Sequence, residues 1–258
     1  MNLKERIETY QQASDHKLLG RVPLIICING RNYSKQTELL DKPYCPKFAD
    51  AILSTMLRVC EEIDGAFFAY QFNDEIMVIA RNDQSLETAT WYKNNLQKIC
   101  SATASIATLH FSQMASATEL NMMTPTFTSN VFVVPNITDA INTVIFKQQY
   151  NFFLSIQFAC FYELLNKYDR NTIISMLAGL SVDEKISLLQ QECNIDFNNY
   201  PMAFRRGSAC YKSPTLIDGN IKNKWMINAK LPIFTKEQKF LNNLFKDGVD
   251  IFRNENFK

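Results

Sequence analysis

Histidine is nearly absent: the 258-residue chain carries two, His16 and His110. That leaves little material for a histidine-ligated zinc site, or for a Ser-His-Asp or Cys-His arrangement, so metal-bound carboxylates are the better candidates if the chain is a catalyst. The seven cysteines, at 27, 45, 60, 100, 160, 193 and 210, form no C-x-x-C pair and have no histidine cluster nearby. They read as scattered reduced thiols rather than a disulfide framework. Long apolar runs are missing too. Stretches such as Leu24 to Ile28 and Val131 to Val134 fall far short of the roughly 20 residues that span a bilayer, so no membrane helix is expected. The opening 20 residues carry Lys4, Glu5, Arg6 and Glu8 and no apolar core. A secretory leader is therefore not expected, and the protein is read as cytoplasmic. No internal repeat and no low-complexity tract interrupts the chain.

What is present supports a sizeable core. Apolar residues make up 47%, enough for one large domain or a core domain with a helical appendage. Net charge is +1 but unevenly spread, since residues 201–258 carry 11 Lys/Arg against 5 Asp/Glu. A basic tail on a slightly acidic body suits a polyanion lying across one face, and on charge alone it suits an ordinary solvated surface equally well.

Periodicity gives the order of elements. Residues 2–20 read as a polar helix with Leu3, Ile7 and Tyr10 on one side and Gly20 as its stop. Val22 to Ile28 is a continuous apolar run ended by Asn29-Gly30, the pattern of a buried strand. Lys42-Pro43 to Pro46 is a loop. From Pro46, residues Phe48, Ile52 and Met56 recur at helical spacing until Gly65. Ala66 to Phe72 and Glu75 to Ala80, joined by Asn73-Asp74, read as a hairpin closed by Arg81-Asn82-Asp83. A long helix is expected from Leu86 to about Phe111, a loop from Gln113 to Thr124 and a strand from Phe127 to Val134. This β-α-β-β-α-β order predicts an α+β, ferredoxin-like palm, as in polymerases, over residues 1–135. Residues 136–258 are expected to pack on it as a helical and extended region with a basic tail. That region comprises a helix over 136–166, short helices at Thr172 to Leu177 and Ser181 to Cys193, and extended pieces.

Two strand ends then converge on one polar site. Asn29, Asp74 and Glu75 fall near one sheet end, with the Gly30 carbonyl as a further oxygen. Hard divalent cations need such ligands. Alternation lets only one of the two acids face the site, and Asp74 is the expected ligand, with Glu75 pointing away or bonding a backbone group. Locally, an Asp-Glu pair at a hairpin tip fits a plain structural turn as well. Residues Arg31 to Ser34 form a tight turn whose backbone N–H groups could cradle a triphosphate, with Lys42 adding a point charge. The turn lacks a second glycine, which excludes a Walker A or dinucleotide loop. Arg205 and Arg206, in a turn-rich segment, could clamp phosphates.

Set in order, these pieces resemble the tRNA-histidine guanylyltransferase family, and more closely its bacterial and phage 3′-to-5′ polymerase members. The resemblance is carried by Ile28 to Tyr33, Lys42-Pro43, Asn73-Asp74-Glu75, Trp91-Tyr92, Gln97 to Ser101 and Ala104 to Thr108. It continues through Gln148-Gln149, Tyr200-Pro201 with Arg206-Gly207, and Pro232 to Thr235. It implies nucleotide addition to the 5′ end of tRNA with GTP or ATP and two Mg ions. It further implies metal ligation at positions 29 and 74 and by the Gly30 carbonyl. Nucleotide contacts are implied for Arg31, Asn32, Tyr33, Ser34, Lys42 and Asn73, and tRNA or other structured RNA contacts for Lys98, Arg205 and Arg206. A homo-oligomer, tetramer or dimer, is implied as well.

The chain departs from the family at Asn29, where the family has its first metal Asp, and at Asn73, where it has Ser. It departs again over Thr128 to Asn130 and Phe146 to Ser155. An amide offers oxygen without charge, so weak metal occupancy is expected, and a silent member acting as a nucleotide- or RNA-binding module is the alternative.

Overall fold

The computed structural model describes residues 1–83, 88–120, 122, 125–217 and 220–246. In chain order it forms α1 (Leu3–Ala13), β1 (Leu24–Gly30), α2 (Tyr33–Gln36), α3 (Pro46–Glu62), β2 (Ala66–Phe72), β3 (Glu75–Ala80), α4 (Leu96–Ala117), β4 (Phe127–Val133) and α5 (Ile137–Leu164). Then follow α6 (Arg170–Leu177), α7 (Val182–Cys193), α8 (Met202–Arg206), β5 (Ser208–Ile217), β6 (Asn220–Asn228) and α9 (Gln238–Lys246).

The expected β-α-β-β-α-β unit is there. Its strands lie in the order β4-β1-β3-β2, and β5 and β6 continue the sheet beyond β2. All the pairings are antiparallel. The sheet therefore draws strands from both sides of residue 135, with β5 and β6 as extended pieces of the C-terminal region that join it.

The central strands are apolar along most of their length because helices cover both faces. One face, with Ile26, Ile28, Ile76 and Val78, packs on Ile52, Met56 and Val59 of α3 and on Ile99, Ala107 and Phe111 of α4. The other, with Ile25, Cys27, Tyr70, Met77 and Ile79, packs on Ala140 and Val144 of α5 and on Leu241 and Phe245 of α9. A third cluster joins α5 to α6, α7 and α8 through Ile156, Ile173, Leu189 and Phe204.

Three helix boundaries differ from expectation by more than two residues. α1 ends at Ala13, because the chain around Lys17 turns extended and bridges to Asn95. The expected start at Leu86 lies outside the described residues, and α4 begins at Leu96, capped by the Asn95 side chain. Before it, Tyr92, Lys93 and Asn94 all take positive φ, which no α-helix accommodates. At its far end α4 runs to Ala117, through the start of the expected loop, because Ala115 reaches the core one turn further on.

Candidate functional site

The site forms where β1 ends against the β2–β3 turn. Asn73 takes φ +50, a left-handed geometry that asparagine tolerates better than most residues, so two residues suffice to reverse the chain. The turn docks on β1 through the Gly30 N–H, which donates to the Asp74 carbonyl at 3.2 Å. The Asp74 side chain lies over Gly30: a Cβ there would stand 3.0 Å from Asp74 Oδ2 and 3.1 Å from its Cβ. Glycine allows this approach without displacing the carboxylate. Desolvation pushes the Asp74 carboxyl up to about 6, with its own backbone N–H opposing, the Glu75 charge adding and the Gly30 N–H opposing. No cation pairs with it among the described residues.

Glu75 takes the other side. It faces Asn29 directly in the β1–β3 register. Its Oε1 accepts from Lys147 Nζ of α5 at 2.5 Å, so its partner is a side chain and not the expected backbone group. The turn residue and the first residue of β3 thus carry the two adjacent acids to different partners.

The Arg31 to Ser34 turn is built differently from a continuous anion nest. The Arg31 N–H is already committed to the Thr126 carbonyl at 2.8 Å. Asn32 takes φ +52 and opens the single turn of α2. The N–H groups of Tyr33 and Ser34 then lie in a first turn, where no intrahelical acceptor exists. Tyr33 packs its ring on Phe48, with centroids 5.2 Å apart. Burial first, then the Asp74 charge, hold its phenol well above the ordinary value. Lys42 folds back to give a hydrogen bond to Thr37 Oγ1 at 3.0 Å and sits 5.5 Å from the Tyr162 ring centroid. Burial lowers its pKa.

Tyr33, Lys42 and Asn73 share a cleft of about 530 Å³, counting its open mouth, with Phe48, Gln71 and Ser208. The Ser208 hydroxyl is fully buried and has no hydrogen-bond partner among the described residues, an arrangement that buried polar groups seldom keep without a ligand or water. Gln71 and Ser208 were not foreseen, because only the β2–β5 pairing brings them together. Lys147 was missed for a similar reason: nothing local in α5 marks it as the partner of a strand 72 residues away.

The expected RNA contacts sit elsewhere. Lys98 lies on the first turn of α4. Arg205 and Arg206 end α8, where Arg205 Nε donates to the Tyr200 carbonyl at 2.9 Å and Arg206 Nη1 to the Leu231 carbonyl at 3.1 Å. Both arginines hold their own corner together and keep further N–H donors.

No group of three or more His, Cys, Asp or Glu among the described residues could hold a metal ion. The donor set does fit one divalent cation. Asp74 is desolvated and unpaired, and it leans on a glycine whose carbonyl can serve as a second oxygen, leaving the remaining positions to phosphate or water. The set does not fit a second ion, because position 29 carries no charge and Glu75 is taken by Lys147.

Comparison with known proteins identifies the chain's relatives. A family model described as tRNAHis guanylyltransferase matches residues 4–135. tRNA(His) guanylyltransferase 1 of Arabidopsis thaliana is 25% identical over 225 residues, covering 81% of this chain and 37% of that protein. The chain thus spans well under half the length of that relative. The probable tRNA(His) guanylyltransferase of Dictyostelium discoideum is 25% identical over 218 residues, covering 81% and 82%. A bacterial tRNA(His) guanylyltransferase-like protein in complex with ATP superposes with a TM-score of 0.81 at 26% identity, over 95% of this chain and 99% of that one. For a GTP complex the TM-score is 0.73 at 26% identity, over 92% and 96%.

Proposed function

This chain belongs to the tRNAHis guanylyltransferase family, and from that premise we propose that it is a nucleotidyltransferase that adds nucleotides to the 5′ end of tRNA in the 3′-to-5′ direction, using GTP or ATP. The observation that carries the reading is the Asp74 carboxylate, desolvated, unpaired and packed over Gly30 beside a cleft with an unpartnered hydroxyl. The ATP- and GTP-bound bacterial relatives support a purine nucleoside triphosphate as the ligand.

Each residue has a task in this reading. Asp74 and the Gly30 carbonyl would hold Mg, which when bound polarises a phosphoryl oxygen and offsets its charge. The Tyr33 and Ser34 N–H groups and Lys42 hold the triphosphate, and Arg31 at the exposed end of the turn orients it. Phe48 and Tyr33 give the base an apolar wall, and the Ser208 hydroxyl and Gln71 offer it hydrogen bonds. Lys98, Arg205 and Arg206, with Lys222 and Lys224 on β6, supply positive charge for the tRNA backbone. A homo-oligomer, tetramer or dimer, in the cytoplasm completes the proposal. No helix among the described residues is long and apolar enough to cross a membrane.

The test is a 5′-truncated tRNA incubated with GTP, ATP and Mg²⁺, scored for extension at single-nucleotide resolution. Extended product is expected. Retained GTP binding with no product across divalent metals would leave a nucleotide-binding module, and loss of both would overturn the reading.

A further inference from the structure

We propose that the Lys147 ammonium, bonded to Glu75 beside Asn29, takes the place of a second divalent cation, so that this chain handles its nucleotide with a single ion held by Asp74 and the Gly30 carbonyl. The inference rests on the nucleotidyltransferase reading and specifies its ion requirement.

Asn29 and Glu75 are direct cross-strand partners, a relation that sets Cβ atoms about 4.5–5.5 Å apart. Both belong to the sheet face that α5 covers: Cys27, two residues before Asn29, and Met77, two after Glu75, are buried in the cluster that α5 completes. Lys147 reaches this pair from α5, with Nζ 2.5 Å from Glu75 Oε1 and both side chains only 22% exposed. An amide, a carboxylate and an ammonium sum to zero charge. A dication entering there would meet the ammonium's repulsion and no spare anion. An aspartate at position 29 would have left this half of the site negative. With Asn29, the half is neutral and already filled.

Asp74 lies at the turn, against Gly30, and no cation pairs with it among the described residues. The donor set thus divides into an open half that fits one ion and a closed half that supplies its own positive charge. In this chain Lys147 is a positioning residue, because it fixes Glu75 away from the open half.

Counting Mn²⁺ ions per chain by electron paramagnetic resonance, with a GTP analogue resistant to transfer, tests this directly. One ion per nucleotide-bound chain is expected for the wild type and for Lys147→Arg, which keeps the cation. Two are expected for the double variant Asn29→Asp with Lys147→Met, where two carboxylates face each other unpaired. Two ions in the wild type would overturn the proposal whether or not the double variant folds, and one ion in a folded double variant would do the same. A wild-type chain that binds neither ion nor nucleotide would overturn the site reading as well, whereas nucleotide bound with two ions removes only this inference.

Discussion

Strand β3 is bracketed by two aspartates that the fold treats in opposite ways. Asp74, in the turn before it, loses solvent and gains no cation, and its carboxyl is pushed up to about 6. Asp83, after its far end, is also partly desolvated, yet the Arg81 hydrogen bonds and charge hold it below the ordinary carboxylate value. Arg81 Nε and Nη2 each bond one Asp83 oxygen at 3.0 Å, and Nη1 ties the pair to the Phe245 carbonyl at 3.1 Å. One end of the strand is closed by the chain itself. The other is left open, at a cost in stability, and that asymmetry separates the proposed ligand from an anchor where residue type alone does not.

The comparison breaks first at Asp74. Asp74→Asn removes the single carboxylate of the open half, the proposed ion ligand. Extension of a 5′-truncated tRNA should fall by about 10²–10³, the scale seen when one main electrostatic contact at a reacting centre is lost. The melting temperature should hold or rise, because a desolvated and unpaired carboxylate opposes folding at neutral pH. A variant with near wild-type extension would show that Asp74 is structural after all.

Gly30→Ala sharpens the same end with a smaller effect. Its Cβ would meet Asp74 Oδ2 at 3.0 Å, so the carboxylate must shift by a few tenths of an ångström. A misplacement of that size should lower extension about tenfold while GTP binding changes less. Equal losses in turnover and in GTP affinity would mean that the glycine shapes the cleft rather than the carboxylate.

Much of the open end was legible in the sequence, because its determinants are local. Pro46 and Gly65 bound α3, and the apolar runs flanking Asn73-Asp74 leave room only for a tight turn. Such a turn puts Asp74 beside the end of β1 once the two strands pair. The rest depends on partners distant in sequence. Ser208 enters the cleft because β5 pairs with β2 some 137 residues away in sequence, as in Gln71 to Ser208. Lys147 finds Glu75 only after α5 has crossed the sheet. Gln148, read as a family match, proves to be a tie: its side chain accepts from the Phe234 N–H at 2.8 Å and donates to the Pro232 carbonyl at 3.0 Å. The late start of α4 was hidden because its cause is three consecutive non-glycine residues in left-handed geometry, which no residue-type rule announces.

The closed end gives the smallest effect and the cleanest sign. Asp83→Asn removes the charge of a half-buried bidentate pair and should destabilise the protein by about 1–2 kcal/mol at pH 7, with extension activity unchanged. Because Asp83 has a lower pKa folded than unfolded, its contribution is fully present above the ordinary carboxylate range. It is lost as pH falls through the folded value. Thermal melts of wild type and Asp83→Asn should therefore be separated at pH 7 and converge toward pH 3. A gap that stays constant across that range would assign the loss to the Arg81 contact with the Phe67 ring and its hydrogen bond to the Phe245 carbonyl, and would show that this end of β3 is closed by contact rather than by charge.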